Sequence, residues 1–226
     1  MPRRWVPILA LGVIGAAILA AIISISIGEE GPEAPVEGSQ AAQRLFGGIE
    51  QDGDSLGSPD APVTISIFND LQCTDCADYH LEVVPRLVED VVRDGEARLE
   101  LRHRPVGQTP TTLAAVAATA AGEQGVEWQY AHLAFLNIDQ AETSGIDDEF
   151  LERVAGSVPG PEFDVERWQR DRSDPETVAR VEADDELGAE LGLAAPSVVV
   201  DGPGGTRELA EAPRPEEIEA AVEEVR

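Results

Sequence analysis

Lysine is absent from this 226-residue chain: all 16 of its basic residues are arginines, set against 44 Asp plus Glu, for a formal charge of −28. A surface this acidic repels nucleic acid and anionic lipid headgroups, so nucleic acid is excluded as a partner. The acids are spread over predicted helices rather than gathered in one tail, which reads as a solvated surface. There is no Walker phosphate loop, no G-x-G-x-x-G and no internal repeat. Histidine is scarce, and the three present are too scattered for a two-histidine metal motif. Only two cysteines occur, so Cys73, Cys76 and His80 would lack the fourth ligand of a closed zinc site, and no metal is expected.

Those two cysteines are the most informative residues present. They read C-T-D-C, directly after the apolar run Val63-Thr64-Ile65-Ser66-Ile67-Phe68. A C-x-x-C at the carboxyl end of a strand and the start of a helix is the layout of a thiol–disulfide exchange site. A bridge closing so short a loop restrains the unfolded chain little, so stability is a poor reason for the pair. Redox chemistry is the better one.

The amino terminus sets the compartment. Arg3 and Arg4 precede an uncharged run from Ile8 to Ile27, long enough at the helical rise to cross a bilayer core of roughly 30 Å. The expectation is a cytoplasmic stub at 1–5, a retained transmembrane anchor at 6–27 and a flexible linker with an extension at 28–58; a signal peptide cleaved at small residues such as Ala17 and Ala20 is the alternative. Arg3 and Arg4 before the span and Glu29, Glu30 and Glu33 after it place the rest of the chain outside, where disulfides persist.

From residue 59 to 226 the pattern is α/β. After the strand at 63–68, a helix is predicted from Cys73 to about Asp94, with Val84, Leu87, Val88 and Val91 on its buried face and a kink at Pro85. A second strand at 96–103 follows, with Leu99 and Leu101 on one face. Strand, helix and strand in this length make a parallel crossover. Helices are predicted at 111–122, 126–136, 147–154, 164–171 and 175–191, forming an all-helical insert at about 110–192. Trp128, Tyr130 and Phe135 read as its core, and His80 as lying near the exposed face of its helix. Glu127 and His132 have no catalytic set around them. Strands at 197–200 and 206–209 and a helix at 215–225 complete the chain.

The stretch from Gly48 to Cys76 (GIEQDGDSLGSPDAPVTISIFNDLQCTDC) resembles the start of DsbA-like thioredoxin-fold thiol:disulfide oxidoreductases, in particular their membrane-anchored bacterial branch. Arg102-His103-Arg104-Pro105 and the run AAGEQGVEWQYAHLAF at 120–135 lie at matching places. Gly192-Leu193-Ala194-Ala195-Pro196-Ser197 looks like the family's cis-proline loop. The resemblance implies a thioredoxin-like fold and a role in oxidising cysteine pairs of exported proteins. It also implies no bound cofactor, and reoxidation by a quinone-linked membrane oxidase.

Within that resemblance Cys73 is the attackable sulfur and Cys76 the buried, resolving one. Ala195 and Pro196 would present backbone to an extended substrate peptide. Thr74 and Asp75 stand where family members often carry Pro and an aromatic or His residue, and so bear on the redox potential. Asp70, Asp75 and Asp78 crowd Cys73 in sequence and raise its thiol pKa, with Arg102 and Arg104 placed to oppose them. The alternatives are a reductase or isomerase of the same fold, and a redox-inert binding module.

Overall fold

The computed structural model describes residues 36–105, 110–142, 146–160, 162–209 and 211–226. The expected stub at 1–5 and anchor at 6–27 lie outside the described residues. Among those described, no helix is long and apolar enough to cross a membrane.

The β-branched run after Pro62 forms β3 (Val63–Asn69), whose alternate side chains Val63, Ile65 and Ile67 are fully buried. It pairs in parallel with β4 (Ala97–His103), in a register running from Val63 opposite Ala97 to Asn69 opposite His103. The crossover between them is α2 (Thr74–Leu87), continued by a π turn at Val88–Val92. Val84, Leu87, Val88 and Val91 are buried, as their spacing predicts. The helix passes through Pro85 and changes pitch after Leu87, where Arg93 N–H donates to Val88 O at 3.0 Å. Pro85 has no N–H to give, so the regular ladder is already interrupted there.

The other strands are antiparallel. β5 (Ser197–Gly202) lies on the free side of β3, and β6 (Gly205–Leu209) lies beyond it. On the opposite flank the two-residue strands β1 (Gln51–Asp52) and β2 (Ser55–Leu56) add a hairpin to β4, so the order is β1-β2-β4-β3-β5-β6. The hairpin turns at Gly53, which takes φ +57°.

The hairpin and the segment before it pack with the rest of the fold, and the contacts gather Val36–Arg226 into one unit. Helix α1 (Ser39–Phe46) buries Ala42 and Phe46, and Leu56 of β2 is fully buried. Two-residue strands carry no alternation to read, and their hydrogen bonds to β4 become visible only in the folded sheet.

Between β4 and β5 come helices α3 (Pro110–Gly122), α4 (Glu127–Leu136), α5 (Ile138–Glu142), α6 (Asp148–Ser157), α7 (Val165–Asp171) and α8 (Pro175–Glu190). This is the helical insert. Trp128, Tyr130 and Phe135 are buried as expected, and each large ring contributes roughly 1.5–3 kcal/mol by leaving water. Their polar atoms tie helices to neighbours: Trp128 Nε1 donates to Asp54 O at 2.8 Å, and Tyr130 Oη to Leu151 O at 3.0 Å. Trp168 Nε1 likewise donates to Ala117 O at 2.8 Å. Helix α9 (Pro215–Val225) closes the chain against β5, burying Ile218, Val222 and Val225.

Candidate active site

The loop leaving β3 is shaped by its own aspartate. Asp70 Oδ1 accepts from Gln72 N–H at 2.9 Å and Asp70 O accepts from Cys73 N–H at 3.1 Å, turning the chain so that Cys73 becomes the N-cap of α2. Cys73 has extended backbone, φ −88° and ψ 116°, and its Sγ accepts the backbone N–H of Cys76 at 3.0 Å. Its partner is that same Cys76, in a disulfide with the Cα atoms 5.1 Å apart.

The two sulfurs differ in access. Cys73 is half-buried, whereas Cys76 is fully buried. An attacking thiolate therefore meets Cys73. Once the disulfide opens, the N–H aimed at Cys73 Sγ and the positive end of the α2 dipole both favour a thiolate there. Thr74 and Asp75 are exposed on the first turn.

Across from this loop the Ala195–Pro196 peptide is cis. Phe68 of β3 pairs with Ser197, so the proline loop begins at the sheet edge from which the Cys73 loop departs. Pro196 is buried, its carbonyl accepts from Ala212 N–H at 3.0 Å, and Ala195 and Cys73 pack on the same apolar core.

The two arginines expected to oppose the acids near Cys73 both pair with carboxylates of α8. Arg102 contacts Asp54 at 2.8 Å and Asp184 at 3.0 Å, and also pairs with Glu100. These carboxylates hold its guanidinium charged, outweighing the burial that disfavours the charge. Arg104 pairs with Asp185 and donates from Nε to Leu193 O at 3.3 Å, so it braces the loop that leads to Pro196. Helix α8, some eighty residues away in sequence, supplies both aspartates, which is why strand alternation alone gave no hint of the pairing.

One further expectation about a polar residue changes. His80 is fully buried rather than near an exposed face, and its ring packs between Phe135, His132 and Trp128 at centroid distances of 4.7, 5.5 and 6.2 Å. Burial, with some repulsion from His132, holds it well below the usual histidine range. Glu127 Oε1 lies 2.8 Å from Nε2 of His103, and both side chains are sealed from solvent. His103 is pushed above its ordinary value; burial opposes this, but the hydrogen bond and charge of Glu127 prevail. His132 does not join that pair and is lowered by burial to about 4.

The sequence marks His103 only within Arg102-His103-Arg104-Pro105 and gives no partner for it, although the alternation that places Leu99 and Leu101 on the inner face continues to it. On the Glu127 side of this pair opens a cavity of about 320 Å³, lined in part by Asp52, Asp54, Arg102, Thr119, Glu127 and Asp184. Burial lifts Asp54 to about 6, with Arg102 working against the rise. Among the described residues no group of three or more His, Cys, Asp or Glu is arranged to hold a metal ion.

Comparison with known proteins agrees with that arrangement. A family model described as thioredoxin matches residues 50–224. A probable disulfide bond formation protein D from Bacillus anthracis is 28% identical over 151 residues, covering 66% of this chain and 69% of that protein. Among solved structures, DsbA of Chlamydia trachomatis superposes with a TM-score of 0.65 at 23% identity, covering 76% of this chain and 91% of its own. A thioredoxin-like oxidoreductase from Silicibacter pomeroyi gives 0.60 at 28% identity, covering 80% and 95%. The chain therefore belongs to the thioredoxin family, and within that family it is similar to DsbA and to the disulfide bond formation proteins.

Proposed function

We propose that the chain oxidises cysteine pairs in exported proteins, on the outer side of a membrane to which residues 6–27 anchor it. The observation carrying this reading is the asymmetry of the pair. Cys73 is accessible at a helix start with an N–H directed at its sulfur, and Cys76 is sealed beneath it. A substrate thiolate attacks Cys73 Sγ, the Cys73–Cys76 bond breaks, and its electron pair departs on Cys76. A second substrate thiolate then attacks the mixed disulfide, forming the substrate's disulfide and expelling Cys73 as a thiolate. The pair leaves reduced by two electrons, and a quinone-linked membrane oxidase would take those electrons away. No bound cofactor enters these steps.

Ala195 and Pro196 would hold the substrate in an extended form beside Cys73, by backbone pairing. Thr74 and Asp75, exposed between the sulfurs, would set the potential. Arg104 would act indirectly, through the loop it braces. The Bacillus relative's name, a probable disulfide bond formation protein, supports the oxidising direction.

One observation favours a reductase of the same fold instead. Arg102 and Arg104 pair with carboxylates of α8, and the exposed Asp75 and Asp78 of α2 place negative charge near Cys73 in sequence, which disfavours a thiolate. Alkylation of thiols in intact cells, read by gel shift, separates the two. Oxidation in cells calls for a mainly disulfide-bonded pair at steady state, with Cys76→Ser trapping mixed disulfides through Cys73. A mainly reduced pair contradicts it.

A further inference from the structure

His80 lies four residues after Cys76 on α2, so the two occupy one face a single turn apart, with Cβ atoms about 6 Å from one another. Side chains on a helix lean over the turn that precedes them, which for His80 is the turn containing Cys76. Both residues are fully buried. Neither ring nitrogen of His80 has a hydrogen-bond partner among the described residues. A buried, unsatisfied imidazole costs stability, and such groups call for an explanation.

We propose that His80 is the hydrogen-bond partner of the Cys76 sulfur during disulfide opening. In the closed disulfide Cys76 Sγ is a weak acceptor, and the imidazole N–H stays unpaired. When a thiolate attacks Cys73, the Cys73–Cys76 bond breaks and the electron pair arrives on Cys76, inside the core. The imidazole N–H then donates to that sulfur, so the interaction is made as the charge appears and not before. This is the differential stabilisation that lowers a barrier. When the disulfide closes again, the Cys76 thiolate attacks Cys73, the partner's sulfur leaves as a thiolate, and the N–H is released.

A neutral ring suits this task, because it always carries one N–H. The surroundings keep it neutral. Trp128, His132 and Phe135 of α4 face it, and His132 is the titratable group among them. Glu89 and Asp90 of the π turn, and Glu216 and Glu217 of α9, are exposed. The inference rests on thiol–disulfide exchange at this pair and not on its direction in the cell.

The test uses His80→Phe, which keeps a ring but removes the N–H, and His80→Gln, which restores a donor. The pKa of Cys76 is read by NMR in a Cys73→Ala background, and the opening of the disulfide by reduced glutathione is timed in the otherwise unchanged protein. The expected result for His80→Phe is a Cys76 pKa raised by about one unit and opening slowed by about tenfold, with His80→Gln recovering most of both. A purely structural role for the ring would leave the Cys76 pKa unmoved. Should His80→Phe not fold, the ring nitrogen shifts of His80 in the unaltered protein decide instead. A hydrogen-bond shift on reduction is expected, and identical signals in both redox states overturn the proposal. A protein that exchanges normally while His80→Phe matches it in pKa and rate defeats this inference alone. A protein that does not exchange with glutathione at all defeats the exchange chemistry itself.

Discussion

Glu127 Oε1 sits 2.8 Å from His103 Nε2, with the two side chains 1% and 2% exposed. His103 ends β4 directly opposite Asn69 of β3, so it lies at the end of the sheet from which the loop to Cys73 departs. The pair links the helical insert, through the first turn of α4, to the sheet edge that carries the chemistry.

Removing one member of such a pair leaves the other uncompensated. Glu127→Ala is expected to lower unfolding free energy by about 3–5 kcal/mol, measured by urea titration. The pH trend follows from the raised His103. Its folded pKa exceeds its unfolded value, so its contribution is complete below about 6.5 and fades as pH rises through the folded value. The cost of Glu127→Ala should therefore be larger near pH 6 than near pH 9. Equal costs at both pH values would contradict the pairing.

His132 predicts the opposite slope. Burial holds it at about 4 against an ordinary 6.5, so the folded state resists its protonation. Stability from this group is present above pH 6.5 and is lost as pH falls toward 4, by about 3 kcal/mol over that window. His132→Phe should flatten the acid limb by that amount. Asp54, raised to about 6, gives an opposing trend in both proteins and cancels in the difference. A parallel acid limb in the variant would show His132 to be hydrated or paired.

Arg104 is predicted to act through the loop it braces. Its Asp185 partner is 42% exposed, so Arg104→Gln should cost less than about 1 kcal/mol of stability. Its Nε bond to Leu193 O steadies the approach to Pro196. The expected effect is a KM for a reduced, unfolded substrate raised several-fold, with the glutathione exchange rate unchanged. A changed exchange rate with an unchanged KM would return Arg104 to a role beside Cys73.

The sheet centre and its crossover were legible in the sequence because each carries a repeated signal. Val63, Ile65 and Ile67 alternate, and Val84, Leu87, Val88 and Val91 recur at helical spacing. Cys73 and Cys76 declare the helix start between them. The β1–β2 hairpin was not legible, since a strand of two residues has no period and its partners lie more than forty residues ahead. His80 was misplaced for a different reason. The buried stripe stepped back four residues from Val84 falls on it, but its polar side chain argued for solvent. The partners of Arg102 and Arg104 depend on how α8 packs over β4, a tertiary fact with no local trace.

The most direct test of the central chemistry is the equilibrium potential of the Cys73–Cys76 pair against glutathione. The N–H directed at Cys73 Sγ favours the reduced thiolate and hence oxidising power, while Asp70, Asp75 and Asp78 moderate it. A value between about −120 and −200 mV is expected for an oxidant of this kind, and one near −270 mV, the range of thioredoxin, would contradict it.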